Sequence, residues 1–433
     1  MPSAEAAGFV GGQNRGARAS LPRVLLVLAF ALLVAGRMPG LWPEGRLWAE
    51  EGKVYLFHAW HDPWYWALVK VHTGYMNLPA SVGTTLGVHW LPLPRVPLLT
   101  LLIALLLQVI PAALLAAGRI AWLRDWWKLA LALLLVAAVP LSGEVWLNTI
   151  TSQFHVLLAV AIVLASPTMG GAGGAFQGAV LIAAPLCGPS AALLLPLFVA
   201  RAVIDRSPSR LGQAVLMLPA VLLQVATALT HPEPARSVGL DIPLVLTAIA
   251  GKQVLLPLLG PGLANRLTVG LPDAFAAGHT PWTLIATPLL FYGALALGAW
   301  RCRDRPVRWL LAAAVILVVV SYFAALTPDT PRDLLYVWFG NRYAYVPTVL
   351  TGLALLGIAA TGLGATRAFA GIMVAWLLLT GTAYYLRIDP AFARGPSWGD
   401  EVRRWRTDPS SPLAIWPSGW HVRLEPRPDR SGG

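Results

Sequence analysis

The chain is 433 residues long, 57% hydrophobic and only 12% charged, with a mean hydropathy of +0.65. Soluble domains carry about 25% charged residues, so an ordinary soluble globular fold is excluded. The net charge of +12 is spread as short basic loops between apolar runs, which is the positive-inside distribution of a membrane protein and not a nucleic-acid footprint.

In chain order, residues 1–20 read as a cytoplasmic tail carrying Arg15 and Arg18. The apolar run 21–36 follows with no clear small-x-small cleavage site at its end, which favours a retained anchor over a secretory signal. Residues 37–94 form a long first outer loop. The run 96–118 holds no charge; as a helix it measures about 34 Å, enough for a hydrocarbon core of about 30 Å. Further spans are predicted at 126–143, 145–165, 211–229, 282–300, 309–326, 343–363 and 366–386, each bounded by charge, Pro or Gly.

Residues 175–200 resist a single reading, because Pro185, Gly188 and Pro189 divide them into halves of about 18 Å. A hairpin of two short helices, its tip at 187–190 near the outer face, returns Arg201, Arg206 and Arg210 to the cytoplasm. The alternative is one span there and another at 240–263, which buries Lys252 at about 3 kcal/mol and exports a basic loop. The hairpin reading gives an all-α polytopic membrane protein of about 11 transmembrane helices, with its transmembrane domain at 21–386, N-terminus inside and C-terminus outside. The Pro- and Arg-rich tail 387–433 is too polar to span and short for an independent core. It is predicted as a small strand-like appendage on the outer side. Cys187 and Cys302, one in an apolar stretch and one in an Arg-rich loop, are expected to be free thiols.

Chemistry is sought first in the long outer loop, since such loops tend to be functional. In RLWAEEGKVYLFHAW, Glu50 and Glu51 are flanked by Trp48, Tyr55, Phe57 and Trp60, residue types of a membrane interface. A carboxylate partly desolvated by aromatics has a raised pKa suited to general-base work on a hydroxyl; the plainer alternative is a pair of solvated loop charges. HTGYMNLPASVG offers His72, Tyr75 and Asn77 before a stretch too short to span, predicted as an interfacial helix on the outer surface, either a lid or acceptor platform or simply an anchor. SGEVWLNTITSQFH spaces Glu144, Asn148, Thr151 and His155 so that a helix would carry one polar face, for interhelical hydrogen bonding or for lining a cleft. In TPDTPRDLLYVWFGNRYAYVP, Arg332 and Arg342 lie among Tyr336, Trp338, Tyr343 and Tyr345. The planar Arg fork suits phosphate, although an interface Arg can also simply snorkel to headgroups; Arg342 is the preferred phosphate contact.

Taken in order, WAEEG, HTGYMNLP, GEVWLNTITSQF, CGPSAALLLP, NRY and IWPSGWHVRL resemble pieces of uncharacterised bacterial relatives of the GT-C superfamily. These are integral membrane glycosyltransferases that use polyprenyl-phosphate sugars and carry a catalytic acid in the first outer loop. The resemblance implies transfer of a sugar from a polyprenyl-phosphate donor to an envelope glycan, lipid or protein acceptor, on the outer side of the cytoplasmic membrane. It implies that Glu51, with Glu50 in reserve, deprotonates the acceptor hydroxyl, which attacks the anomeric carbon with inversion as lipid phosphate leaves. Arg342 and Tyr343 would hold that phosphate, while His72, Tyr75, Asn148, Gln153 and the hairpin tip at Gly188 and Pro189 would face the same cavity. The second acid is commonly Asp in such proteins, so the longer Glu51 leaves the base open between the two glutamates. No cofactor is expected and no metal is assigned, although some members of the class use a divalent ion. Two other classes compete. A transporter or flippase of lipid-linked sugars keeps its sites at the midplane and often has repeated halves. A polysaccharide polymerase or ligase centres on a large late outer loop, here 230–281 with Arg236, Lys252, Arg266 and His279.

Overall fold

The structure, a computed structural model, describes residues 5–232, 241–326, 330–387 and 390–426, with side chains from residue 21; the side chains of Arg15 and Arg18, and all of Arg236, lie outside this set. It is 76% helical, and its only strands among the described residues are two small antiparallel pairs. Among the described residues, seven helices are long and apolar enough to cross a bilayer: Leu93–Ala117, Pro208–Thr230, Ile242–Thr268, Trp282–Cys302, Arg305–Ala324, Arg342–Thr361 and Gly364–Tyr385. Four shorter apolar helices, Leu21–Gly36, Trp126–Ala137, Ser152–Ala165 and Gly171–Cys187, stand among them. This is a multi-pass membrane protein of mostly helical build. Its outward faces carry exposed leucines such as Leu106, Leu290 and Leu379, which only a lipid solvent covers without cost. The Ser152–Ala165 helix is apolar on every side and, apart from Gln153, wholly buried, as a helix at the centre of a bundle must be.

Side-chain contacts sort the loops into two ends. At one end Arg23 donates to the carbonyls of Ala116 (2.6 Å) and Leu123 (2.9 Å). Arg210 donates to Ser166 O at 2.5 Å, and Asp205 accepts from Arg201 (3.2 Å) and Arg305 (3.1 Å). Gly118 packs on Ser166, so these basic loops share one end. The first long loop, 37–94, the hairpin tip, the late segment and the tail gather at the other.

Pro185, Gly188 and Pro189 do break 175–200 into two helices. Gly171–Cys187 ends at Gly188, and a tight 3₁₀ turn leads into Leu195–Asp205. Pro208–Thr230 lies parallel to the first arm, since its Gln213 meets Gln177 and its Gln224 reaches Pro185 O at 2.6 Å. Leu195–Asp205 is therefore the returning arm. Both cysteines are free.

Three expectations are corrected. The helices predicted at 126–143 and 145–165 stop at Ala137 and resume only at Ser152. Pro140 disfavours helix at the residue before it, and Arg37 takes the freed Ala137 carbonyl at 2.9 Å, so the intervening chain is irregular. The late stretch 230–281 is not an open loop, because Ile242–Thr268 forms a helix kinked at Gly260. Lys252 is buried there, and its ammonium donates to the carbonyls of Tyr336 and Phe339, so this helix is tied to the same end as its flanks. Finally, Leu78–Trp90 does not lie on the surface; Ser81, Thr84 and Gly87 are buried, and Gly87 leaves no room for a methyl group beside Val96. The exposed aromatics of this loop are Trp64, Tyr65 and Trp66, with Trp90 at the very end of that helix.

The tail is strand-like as predicted, with Leu413–Ile415 pairing Trp420–Val422 behind the helix Trp398–Thr407. It is no free appendage. Ala49 N–H donates to Trp416 O (2.5 Å) and Trp416 N–H to Leu47 O (3.0 Å), and Leu47, Leu56 and Trp60 share a core with Trp398, Val402 and Leu413.

Candidate active site

A cavity of about 380 Å³ lies at the end of the bundle away from the basic loops. Its first wall comes from the outer loop, where Ala49 sits at φ 47, a left-handed conformation that costs an L-residue about 1–2 kcal/mol. The bond from Ala49 to Trp416 holds it there. The π-helical turn Glu51–Leu56 follows, and the two acids diverge. Glu50 lines the cavity, is half-buried and has no hydrogen bond or ion pair from its carboxylate among the described residues.

Glu51 does not reach the cavity. It is wholly buried; one oxygen accepts the Trp48 N–H at 3.0 Å, the other the Thr149 N–H at 2.9 Å and the Thr149 hydroxyl. Burial pushes its carboxyl above the usual range, against the pull of those donors and of the Arg46 charge. Arg46 is itself buried between the rings of Trp48 and Trp416 and donates to Trp146 O (2.8 Å) and Phe392 O (2.7 Å). Burial lowers its pKa to about 10, with Glu51 and Glu144 acting the other way. Arg46 and Glu51 thus fasten the outer loop to the irregular segment 138–151.

His72, Tyr75 and Gln153 line the cavity with Glu50, as do Pro189 and Ser190 of the hairpin tip. Gly188 packs beside them, since a Cβ there would stand 2.1 Å from the Gln153 amide oxygen and displace that side chain. Arg342 and Tyr343 line the cavity too, but the Arg342 fork is not empty: its Nη1 meets Glu144 Oε1 at 2.5 Å, with side chains 39% and 19% exposed. The guanidinium also lies 5.1 Å from the Tyr343 ring. A partly dry wall requires a counter-ion for an Arg, and Glu144 supplies it.

Asn148 is turned away from the cavity. Its carbonyl oxygen accepts from the Thr151 N–H (2.9 Å) and hydroxyl (2.8 Å), and its amide donates to Glu144 O and Trp146 O. The polar helical face read from Glu144, Asn148, Thr151 and His155 does not form, because residues 146–151 are not helical. His155 is packed between Trp146 and Tyr345, and Asn77 caps the Leu78–Trp90 helix. Lys252, engaged by two carbonyls, is absent from the cavity wall.

Sequence reasoning missed the Glu144–Arg342 pair and the tail's share of the wall, Pro417 and Trp420. IWPSGW signalled the latter only as an aromatic-rich piece without a place. Thr73, at φ 49, also lines the cavity, so two strained non-glycine residues flank it. The site offers one unengaged carboxylate, an imidazole, and an Arg with donors beyond the one given to Glu144: the means to accept a proton and to bind an anion. Comparison with family models, characterised proteins and solved structures finds no match to this chain.

Proposed function

We propose that this chain is a membrane glycosyltransferase that moves a sugar from a polyprenyl-phosphate donor to an envelope acceptor at the outer face of the cytoplasmic membrane. The observation that carries the reading is the meeting of Glu50, His72 and Tyr75 of the first long loop with Arg342, about 270 residues later in the chain, around one cavity. Glu50, not Glu51, is the base of this proposal, because Glu51 spends its carboxyl on three fixed donors. Glu50 takes the acceptor's hydroxyl proton, the oxygen attacks the anomeric carbon, and the bond to phosphate breaks. The leaving phosphate carries its new charge to the remaining N–H donors of Arg342. Backbone strain at Ala49, next to Glu50, accords with a functional constraint at that position.

The accompanying topology is about eleven passes, the returning arm Leu195–Asp205 and the shorter apolar helices included and Ile242–Thr268 omitted. The shared end of Arg23, Arg201, Arg210 and Arg305 faces the cytoplasm under the positive-inside rule.

The test is transfer by purified protein from a panel of synthetic short-chain polyprenyl-phosphate sugars to isolated envelope glycans. Glu50→Gln should lower turnover by about 10²–10⁴-fold, whereas Glu51→Gln, where it folds, should retain far more. Equal turnover in Glu50→Gln and the unaltered chain would remove the base and with it this mechanism.

A further inference from the structure

Beside the cavity, and sharing His72 and Thr73 with it, runs an open groove of about 580 Å³. Lys53, Lys70, His58 and His231 line it with Phe57, and no acidic side chain among the described residues does. His58 Nδ1 is hydrogen-bonded to Asp62 Oδ2 at 2.8 Å. Lys53 is exposed, Lys70 half-buried, and neither ammonium has an acidic partner among the described residues. Lys53 lies 5.3 Å from the ring of Trp420, a residue of the cavity wall, so charge and aromatic surface continue from groove to cavity.

We infer that this groove binds an acidic glycan and leads its chain to the cavity, so that the acceptor is a uronate- or phosphate-bearing polysaccharide. The inference rests on the transferase reading for the direction of the chain, but not for the binding itself. Unpaired ammonium groups attract repeated negative charge, and the faces of Phe57 and Trp420 give the C–H faces of sugar rings an apolar platform. The open shape admits a polymer that continues beyond the protein.

The experiment uses the full chain in phosphatidylcholine nanodiscs with a fluorescent oligogalacturonate and a neutral maltooligosaccharide of equal length. Oligogalacturonate should bind, more weakly as salt rises. Lys53→Gln with Lys70→Gln should weaken it by at least about tenfold, and the paired Lys→Arg variant should restore it. Melting temperature should hold in both, since neither side chain is hydrogen-bonded among the described residues, and the salt dependence and neutral control in the unaltered chain serve even if a variant misfolds. Equal binding of the neutral sugar, or undiminished binding by the folded Gln variant, overturns the inference. So does loss of co-purifying phosphatidylglycerol without loss of oligogalacturonate binding, which would make the groove a lipid headgroup site. Binding without sugar transfer would count against the transferase reading alone; transfer to a neutral acceptor without acidic binding would count against the groove alone.

Discussion

Two π-helical turns sit at the cavity end, Glu51–Leu56 in the first loop and Ala250–Leu255 in the late helix, and each buries one charge. In the first, Glu51 accepts from the backbone of Trp48 and Thr149; in the second, Lys252 donates to the backbone of Tyr336 and Phe339. A carboxylate gathers N–H groups and an ammonium gathers carbonyls, and both tie a distant segment down. The neighbours differ. Gln253 beside Lys252 is also spent on structure, donating to Ala344 O at 3.1 Å and to Tyr322, whereas Glu50 beside Glu51 is left to the cavity. In the first turn the buried neighbour has taken over the structural role and leaves Glu50 available for chemistry, in keeping with the frequency of π-helical turns at functional sites.

The comparison breaks most visibly at Glu51. Glu51→Ala strands three donors and removes the nearest counter-charge of Arg46, and should cost about 3–5 kcal/mol, read as a lowered melting temperature with early proteolysis of the tail. A variant melting like the unaltered chain would mean that the loop is held elsewhere. Lys252→Met should cost less, about 1–3 kcal/mol. It orphans two carbonyls, but the methionine fills the space and the ammonium no longer has to be desolvated. If Lys252→Met were the worse of the two by the same melting assay, the late turn would be the principal tie.

Much of the bundle was legible because its signals are local. The uncharged run at 96–118 and the Pro185, Gly188, Pro189 punctuation act on residues next to them, and the helices follow accordingly. The early stop at Ala137 was not legible, because the group that takes its carbonyl is Arg37, a hundred residues earlier. The same holds within the site. Loop order pointed to His72, Tyr75, Gln153 and Arg342 as companions, and these line one cavity. Which glutamate faces them depends on the φ of Ala49 and on Trp416 of the tail, and no spacing in WAEEG encodes either. Asn148 was misread because a helical period was applied to a segment that Pro140 and Gly143 keep irregular.

The smallest predicted effect on stability falls on Glu144, and it bears on the contrast between the two turns. Its pair with Arg342 is only partly buried, so Glu144→Gln should change stability by less than about 1 kcal/mol. Its effect on binding should be larger than its effect on melting. If Arg342 receives lipid phosphate, Glu144 competes with that phosphate for the same guanidinium, and its neutralisation frees a donor and removes a repulsive charge from the cavity. A short-chain polyprenyl phosphate should then bind Glu144→Gln about 3- to 10-fold more tightly than the unaltered chain, a gain of about 1 kcal/mol, while Arg342→Gln should bind it more weakly. Titration of both variants with that phosphate decides the point. Affinity unmoved in Glu144→Gln would make the pair a structural tie like Glu51 and Lys252, leaving Glu50 as the charged residue of the cavity wall still open to substrate.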